Sequence, residues 1–134
     1  MQKKNEVRLF DLFPHFKENE ETKNPLPTWK KVHSDVLMAR KMHSSILLKN
    51  FIVILGGVND SDSFFLFDHI VLFNIEKNKF SLISTSGEIP IPRTKNSTCA
   101  LSENEIIIFG GEFGKDNLTN DVHKLTIDFN KSKT

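Results

Sequence analysis

Five histidines, His15, His33, His43, His69 and His123, are the residues of this 134-residue chain to weigh first as metal ligands or proton carriers. None pairs with a second strong ligand at a recognisable metal-site spacing, and His43 reads as a structural hydrogen-bonding residue. The run Asn59-Asp60-Ser61-Asp62-Ser63 offers the carboxylates of a calcium loop. Counted from Asp60, however, the sixth position is Phe65 where glycine is required and the twelfth is Val71 where glutamate is needed, which leaves a solvated turn. Ser44-Ser45 and Ser84-Thr85-Ser86 have no nucleophile elbow or phosphate cradle around them. Cys99 has no second cysteine to pair with and sits in an apolar strand pattern, so it is expected as a small buried residue of a reducing compartment. Two arginines, Arg40 and Arg93, could bind anions. Their fixed place before matching segments fits better a guanidinium that donates to backbone carbonyls at a junction between structural units. No catalytic residue, cofactor or metal site is assigned.

Those matching segments organise the chain. Arg40-Lys41-Met42-His43-Ser44 leads through Ile46-Leu47-Leu48, a turn at Lys49-Asn50 and Phe51-Ile52-Val53-Ile54-Leu55 into Gly56-Gly57. Arg93-Thr94-Lys95-Asn96-Ser97 leads through Cys99-Ala100-Leu101, a turn at Ser102-Glu103-Asn104 and Ile106-Ile107-Ile108-Phe109 into Gly110-Gly111. The doublets are 54 residues apart and the arginines 53, because the second turn is one residue longer. A repeat near 50 residues marks units that bury their faces only against neighbours. Eighteen Lys and Arg against 17 Asp and Glu leave a formal charge of +1 with the signs interspersed, which gives no footing for nucleic acid or acidic lipid. Neither a signal-type apolar run nor a membrane-length stretch is present, so an intracellular, cytoplasmic protein is expected. The triplets Asn96-Ser97-Thr98 and Asn117-Leu118-Thr119 then read as chance matches to a glycosylation signal.

Apolar runs of four to six residues bounded by Gly, Asn, Asp, Ser and Pro read as short strands, so an all-β fold is expected. First strands fall at His43–Leu48 and Asn96–Leu101, second strands at Phe51–Leu55 and Glu105–Phe109, joined by hairpin-length turns. The second strand is apolar throughout, as when it is covered on both faces. Third strands follow at His69–Ile75 and Asp121–Ile127. A fourth, Lys79–Ile83, carries Phe80 near its start, and Thr28–Val32 has the same form with Trp29. Glu6–Leu12 resembles a third strand, and residues 14–25 read as a mobile loop.

The ordered set of Trp29, Arg40, His43 and Gly56-Gly57, then Phe80, Arg93 and Gly110-Gly111, resembles the kelch-repeat family over residues 28 to 128. The resemblance implies four-stranded antiparallel sheets arranged as blades of a β-propeller, commonly used to bind other proteins. Departures are Asn96 where the pattern has His, and the absence of any Tyr, which leaves Phe73 or Phe67 to do its packing. On this reading residues 1–33 are the last strands of a preceding blade, 34–84 a complete blade and 85–134 a partial one. Propellers use ~4 to 8 blades, and about two and a half are present. The ring is incomplete, and further blades are expected from a longer chain or another chain. Related propellers include copper oxidases of the galactose-oxidase type, whose site uses tyrosine. Without Tyr such a site cannot be built here, and an enzyme reading would need catalytic residues outside these; a truncated gene product without independent function is the remaining alternative.

In up-and-down sheets of this kind, the short turns share one edge and the long links share the other. The long links are Ser34–Ala39, Val58–Asp68, Ser84–Pro92 and Glu112–Asn120, and long loops on a rigid sheet are where binding resides. The expected partner is a protein, and the candidate contacts are Asp60, Asp62, Phe64, Phe65, Phe67, Phe113 and Lys115. Phe64-Phe65-Leu66-Phe67 has two readings: an exposed apolar patch for a partner, or an extension of the third strand packed between blades.

Overall fold

A computed structural model describes residues 26–130 of the chain. Two units, Met1–Lys31 and Val32–Thr134, divide it. Of the first, residues 26–31 are described; they carry no strand and are exposed, Trp29 fully so. The strand expected at Thr28–Val32 is therefore corrected: it is absent, and Trp29 is not packed as a blade aromatic. A strand needs a laddered neighbour, and the one expected, Glu6–Leu12, lies outside the described residues, as does the loop expected at 14–25.

The second unit is all-β. Its strands are β1 (Ser44–Leu48), β2 (Phe51–Leu55), β3 (His69–Asn74), β4 (Lys79–Ser84), β5 (Ser97–Ala100), β6 (Glu105–Phe109) and β7 (Val122–Thr126). They form a four-stranded antiparallel sheet, β1-β2-β3-β4, and a three-stranded one, β5-β6-β7. Among the described residues there is no helix long and apolar enough to cross a membrane. Lys49-Asn50 closes the first hairpin with Lys49 at φ 51°, the left-handed geometry that matches a two-residue turn to strand twist. The longer second turn is closed by Leu101 N–H donating to Glu105 O at 2.8 Å.

Register sorts the side chains. Ile46 stands opposite Val53, and Val53 opposite Leu72; Ile70 stands opposite Ile83. These residues share one face of the first sheet, since alternate residues share a side. Leu48, Val53, Leu55, Ile70 and Leu72 of that face are buried with Phe67 against Ile106, Ile108 and Ile127, while half-buried Ile46, Phe51, Ile83, Leu125 and Phe129 close the margins. Each fully covered aliphatic side chain contributes roughly 1.5–3 kcal/mol. Phe51 stacks on Phe129 with centroids 4.6 Å apart and planes 10° from parallel.

The two sheets meet along β1 and β5. Gly57 N–H donates to Arg93 O at 3.2 Å, Lys95 N–H to Met42 O at 3.2 Å, and Asn96 Nδ2 to Ser44 Oγ at 3.0 Å. Met42 (φ 56°) and Lys95 (φ 53°) share the same left-handed backbone at the matching point of each repeat. Gly56 permits this close approach between the sheets, since a Cβ there would stand 2.7 Å from Arg93 O. Within each repeat the second glycine does the same: a Cβ on Gly57 would stand 2.7 Å from Lys41 O, and one on Gly111 2.7 Å from Thr94 O.

Cys99 is not buried. It pairs with Ile107 on the face of the second sheet turned away from the first, where it is exposed. The strand pattern placed it on an apolar face; it did not show that this face has no neighbour among the described residues.

Candidate protein-interaction surface

The links after β2 and β6 are folded hairpins with the same construction. Val58 bridges Lys41 on one side and Phe64 on the other, and Glu112 bridges Thr94 and Leu118 in the same way. Asn59 N–H donates to Ser63 O at 3.0 Å, and Phe113 N–H to Asn117 O at 2.9 Å. Phe65 N–H donates to Gly57 O at 2.9 Å, and Thr119 N–H to Gly111 O at 3.1 Å. Left-handed Asp62 (φ 57°) and Asp116 (φ 61°) turn the two tips. In the first tip Asn59 Oδ1 also accepts from Ser61 N at 2.9 Å and Ser63 N at 3.0 Å, so the carboxylate run is an Asx-type turn. Each doublet thus ends its strand and starts a short ribbon whose backbone bonds are largely internal.

The expected contact residues divide by position. Asp60, Asp62 and Lys115 are exposed at the tips, and Asp62 pairs with Lys41 at 3.1 Å. Phe113 is half-buried in the second ribbon. Phe64 and Phe65 are half-buried, Phe65 lying beneath the Arg40 guanidinium, whose carbon is 3.8 Å from the ring centroid. Phe67 belongs to the inter-sheet core and is not a surface contact. The structure corrects the expectation for that residue, because the chain turning back towards β3 carries Phe67 over Gly56, whose missing side chain leaves the ring its place. Two exposed side chains complete the edge: Leu66, from the run read either as a partner patch or as packing, and Leu118, which sequence reasoning passed over. The signal for Leu118 was its match to Phe64 at the doublet-to-doublet spacing of 54.

Behind the ribbons lie the two arginines. Arg40 Nη1 donates to Gly56 O at 3.1 Å and Arg93 Nη1 to Gly110 O at 3.0 Å. Arg93 also donates from Nε to Ile91 O at 3.0 Å and forks onto Asp121, with Nη2 to Oδ2 at 2.9 Å and Nη1 to Oδ1. Asp121 Oδ2 meets His123 Nε2 at 3.0 Å. The guanidinium hydrogen bonds hold the Asp121 carboxyl well below the usual carboxylate range, against the opposing effect of desolvation. Arg40 makes no such fork: Asp68, which follows Arg40 by the same 28 residues as Asp121 follows Arg93, is paired instead with His69 Nδ1 at 3.2 Å, and the buried Arg40 Nε has no partner. Burial lowers the Arg40 pKa from its ordinary value. His43 and Asn96, at matching points of the repeat, pack their Cβ atoms near Gly57 and Gly111. Phe80 lies opposite Phe73, centroids 4.6 Å apart.

The arrangement is a pair of sheets bearing exposed ribbon tips, with no group of three His, Cys, Asp or Glu side chains among the described residues placed to hold a metal. The sequence model of the KLHDC2/KLHL20/DRC7 Kelch-repeats domain matches residues 42–134. Kelch domain-containing protein 3 of Bos taurus is 31% identical over 83 residues, 62% of this chain and 21% of that protein. Host cell factor homolog hcf-1 of Caenorhabditis elegans is 33% identical over 88 residues, 64% of this chain and 10% of that protein. Tip elongation aberrant protein 3 of Schizosaccharomyces pombe is 33% identical over 88 residues, covering 63% and 8%. The chain therefore spans about a fifth or less of the length of these relatives.

Proposed function

The chain belongs to the kelch-repeat family, and on that premise we propose that it is a non-catalytic scaffold that binds another protein through the ribbon-bearing edge of its sheets. One observation carries the reading. Both repeats raise the same closed ribbon from the same sheet edge, and both leave its tip exposed. A ribbon whose backbone bonds are internal loses little conformational freedom on binding, so its tip side chains are preorganised for contact. The tips mix charge of both signs, Asp60, Asp62, Lys115 and Asp116, with the exposed leucines Leu66 and Leu118. Such a combination suits a protein surface with an apolar centre and a polar rim. The sheets act as propeller blades, 34–84 complete and 85–134 partial, in a ring completed by further blades.

The test replaces Leu66 and Leu118 together by Asp. A partner cross-linked to the wild-type chain should lose about tenfold or more in affinity, while the thermal midpoint of the chain stays within about 2 °C. A partner that cross-links elsewhere and binds the double variant unchanged overturns the reading. Phe65 is a poor choice for this purpose, since its ring also supports Arg40.

A further inference from the structure

Each ribbon leaves one backbone edge open. In the first, Lys41 pairs with Val58 and Val58 with Phe64, in the order of β1, β2 and β3. Ser63 O and Phe65 N–H turn inward to Asn59 and Gly57, so Phe64 between them turns its N–H and C=O outward, and alternation along extended chain carries the same orientation to Leu66. Neither residue has a backbone hydrogen bond to any described residue. The second ribbon repeats the arrangement. Asn117 O and Thr119 N–H turn inward, and Leu118 and Asn120 are left open.

A row of open donors and acceptors is a template for a further strand. Where the array of repeats stops does not account for it: the first repeat has all four strands and a second sheet beside it, and still leaves this edge unpaired. Beyond β4, Thr85 N–H donates to Asp68 O at 2.7 Å and Thr85 Oγ1 to Phe67 O at 2.5 Å, so the returning chain stops just short of Leu66. Side chains agree with the backbone. Phe65 and Phe67 turn to one side, under Arg40 and into the core, which leaves Phe64 and Leu66 on the other. Leu66 is 56% exposed and Phe64 half-buried. An incoming strand lays its own alternate residues beside these two, where aromatic and β-branched residues pair best. Asp60 stands exposed at the tip without an ion pair among the described residues, while Asp62 is held by Lys41. A basic residue at one end of the incoming segment complements it.

We propose that the outer edge of each ribbon takes up an extended segment of the partner by strand addition, the segment carrying apolar residues at alternate positions and a basic residue at one end. This rests on the scaffold reading and deepens it by naming the form in which the partner is recognised. Phe64 and Leu66 exchange backbone hydrogen bonds with the segment in the first ribbon, and Leu118 and Asn120 do so in the second. Backbone pairing supplies the affinity, and the neighbouring side chains supply the selectivity.

Peptides selected on the full chain from a random linear library are the probes. They are expected to show the alternating apolar pattern with a basic end, and to slow hydrogen exchange at the Phe64 and Leu66 amides, or at Leu118 and Asn120, at least ~10-fold. Methylating the peptide nitrogens that pair should weaken binding about tenfold or more, with the protein itself unaltered. Leu66→Pro combined with Leu118→Pro removes both edge donors, keeps apolar side chains and should weaken binding to a similar extent. The proposal is overturned if no peptide is selected, if those amides exchange as before in the complex, or if the methylated peptides bind as tightly as their parents. Unchanged binding by a folded Pro double variant overturns it too. In that case loss of the cross-linked partner by the Leu66→Asp and Leu118→Asp chain leaves the scaffold reading standing without strand addition, whereas loss by neither double variant removes both.

Discussion

Arg40 and Arg93 stand at the same point of two repeats and end in different surroundings. Both donate to the carbonyl of the first glycine of their own doublet. Arg93 is fully buried, every nitrogen of its guanidinium has an acceptor, and its own carbonyl is pressed against Gly56 and Gly57 of the preceding sheet. Arg40 is half-buried, rests on Phe65 and leaves Nε unpaired. The bond to the doublet is a property of the repeat, set by local chain geometry. Burial belongs to the junction, and a junction needs a second sheet.

The largest effect should come from breaking the junction arginine. Arg93→Ala removes five donors from a covered site, leaves Ile91 O and Gly110 O without them and strips Asp121 of its fork; a loss of about 3 kcal/mol or more is expected. Arg40→Ala removes one backbone bond and a ring contact, for about 1 kcal/mol. Urea unfolding of the two variants decides it. Equal losses would mean that the repeat, and not the junction, sets the cost. Arg93→Lys should recover little, because an ammonium cannot serve the carbonyls and the carboxylate in one plane.

The first glycines of the doublets sharpen the contrast at smaller scale. Their backbones match, with φ 63° at Gly56 and 61° at Gly110. A Cβ on Gly56 would stand 2.7 Å from Arg93 O and 3.1 Å from the Phe67 ring, whereas one on Gly110 would meet only Thr119 O at 3.3 Å. Gly56→Ala should therefore cost about 2–3 kcal/mol, strain and overpacking together. Gly110→Ala should cost about 1 kcal/mol, for left-handed strain alone. Thermal unfolding of the pair should rank them in that order, and the reverse ranking would remove the junction as the cause.

What was legible in the residues follows the same division. Strand positions and hairpin turns depend on local pattern, and β2 and β6 fall where the apolar runs lie because Gly56 and Gly110 end them. Burial of a given apolar residue was not legible, since it depends on which face has a neighbour. Cys99 and Ile46 occupy matching places and differ only in that the second sheet reaches Ile46. Phe67 could be read as a loop contact or as packing until its position over Gly56 was known. The ribbons were read as long loops because Val58 and Glu112 make single bridges, too short to leave an alternating pattern. The Arg93–Asp121 pair did have a signal. Asp68 and Asp121 each follow their arginine by 28 residues, yet only the second makes the fork.

That last difference gives the smallest and most specific prediction. The Asp121 carboxyl is held below its ordinary value in the folded chain, chiefly by the Arg93 hydrogen bonds with His123 assisting. A carboxyl whose folded pKa is depressed stabilises the fold at pH above its unfolded value, about 4 for Asp, and that contribution fades as pH falls below it towards the folded value. Asp121→Asn should lower stability at pH 6–7 by a small amount, because the carboxylate is partly exposed, and should flatten the decline between about pH 4 and pH 2. Thermal midpoints of wild type and variant across that range measure it. Matching slopes for Asp121→Asn and wild type would place the acid sensitivity elsewhere and reduce the fork to a geometric contact.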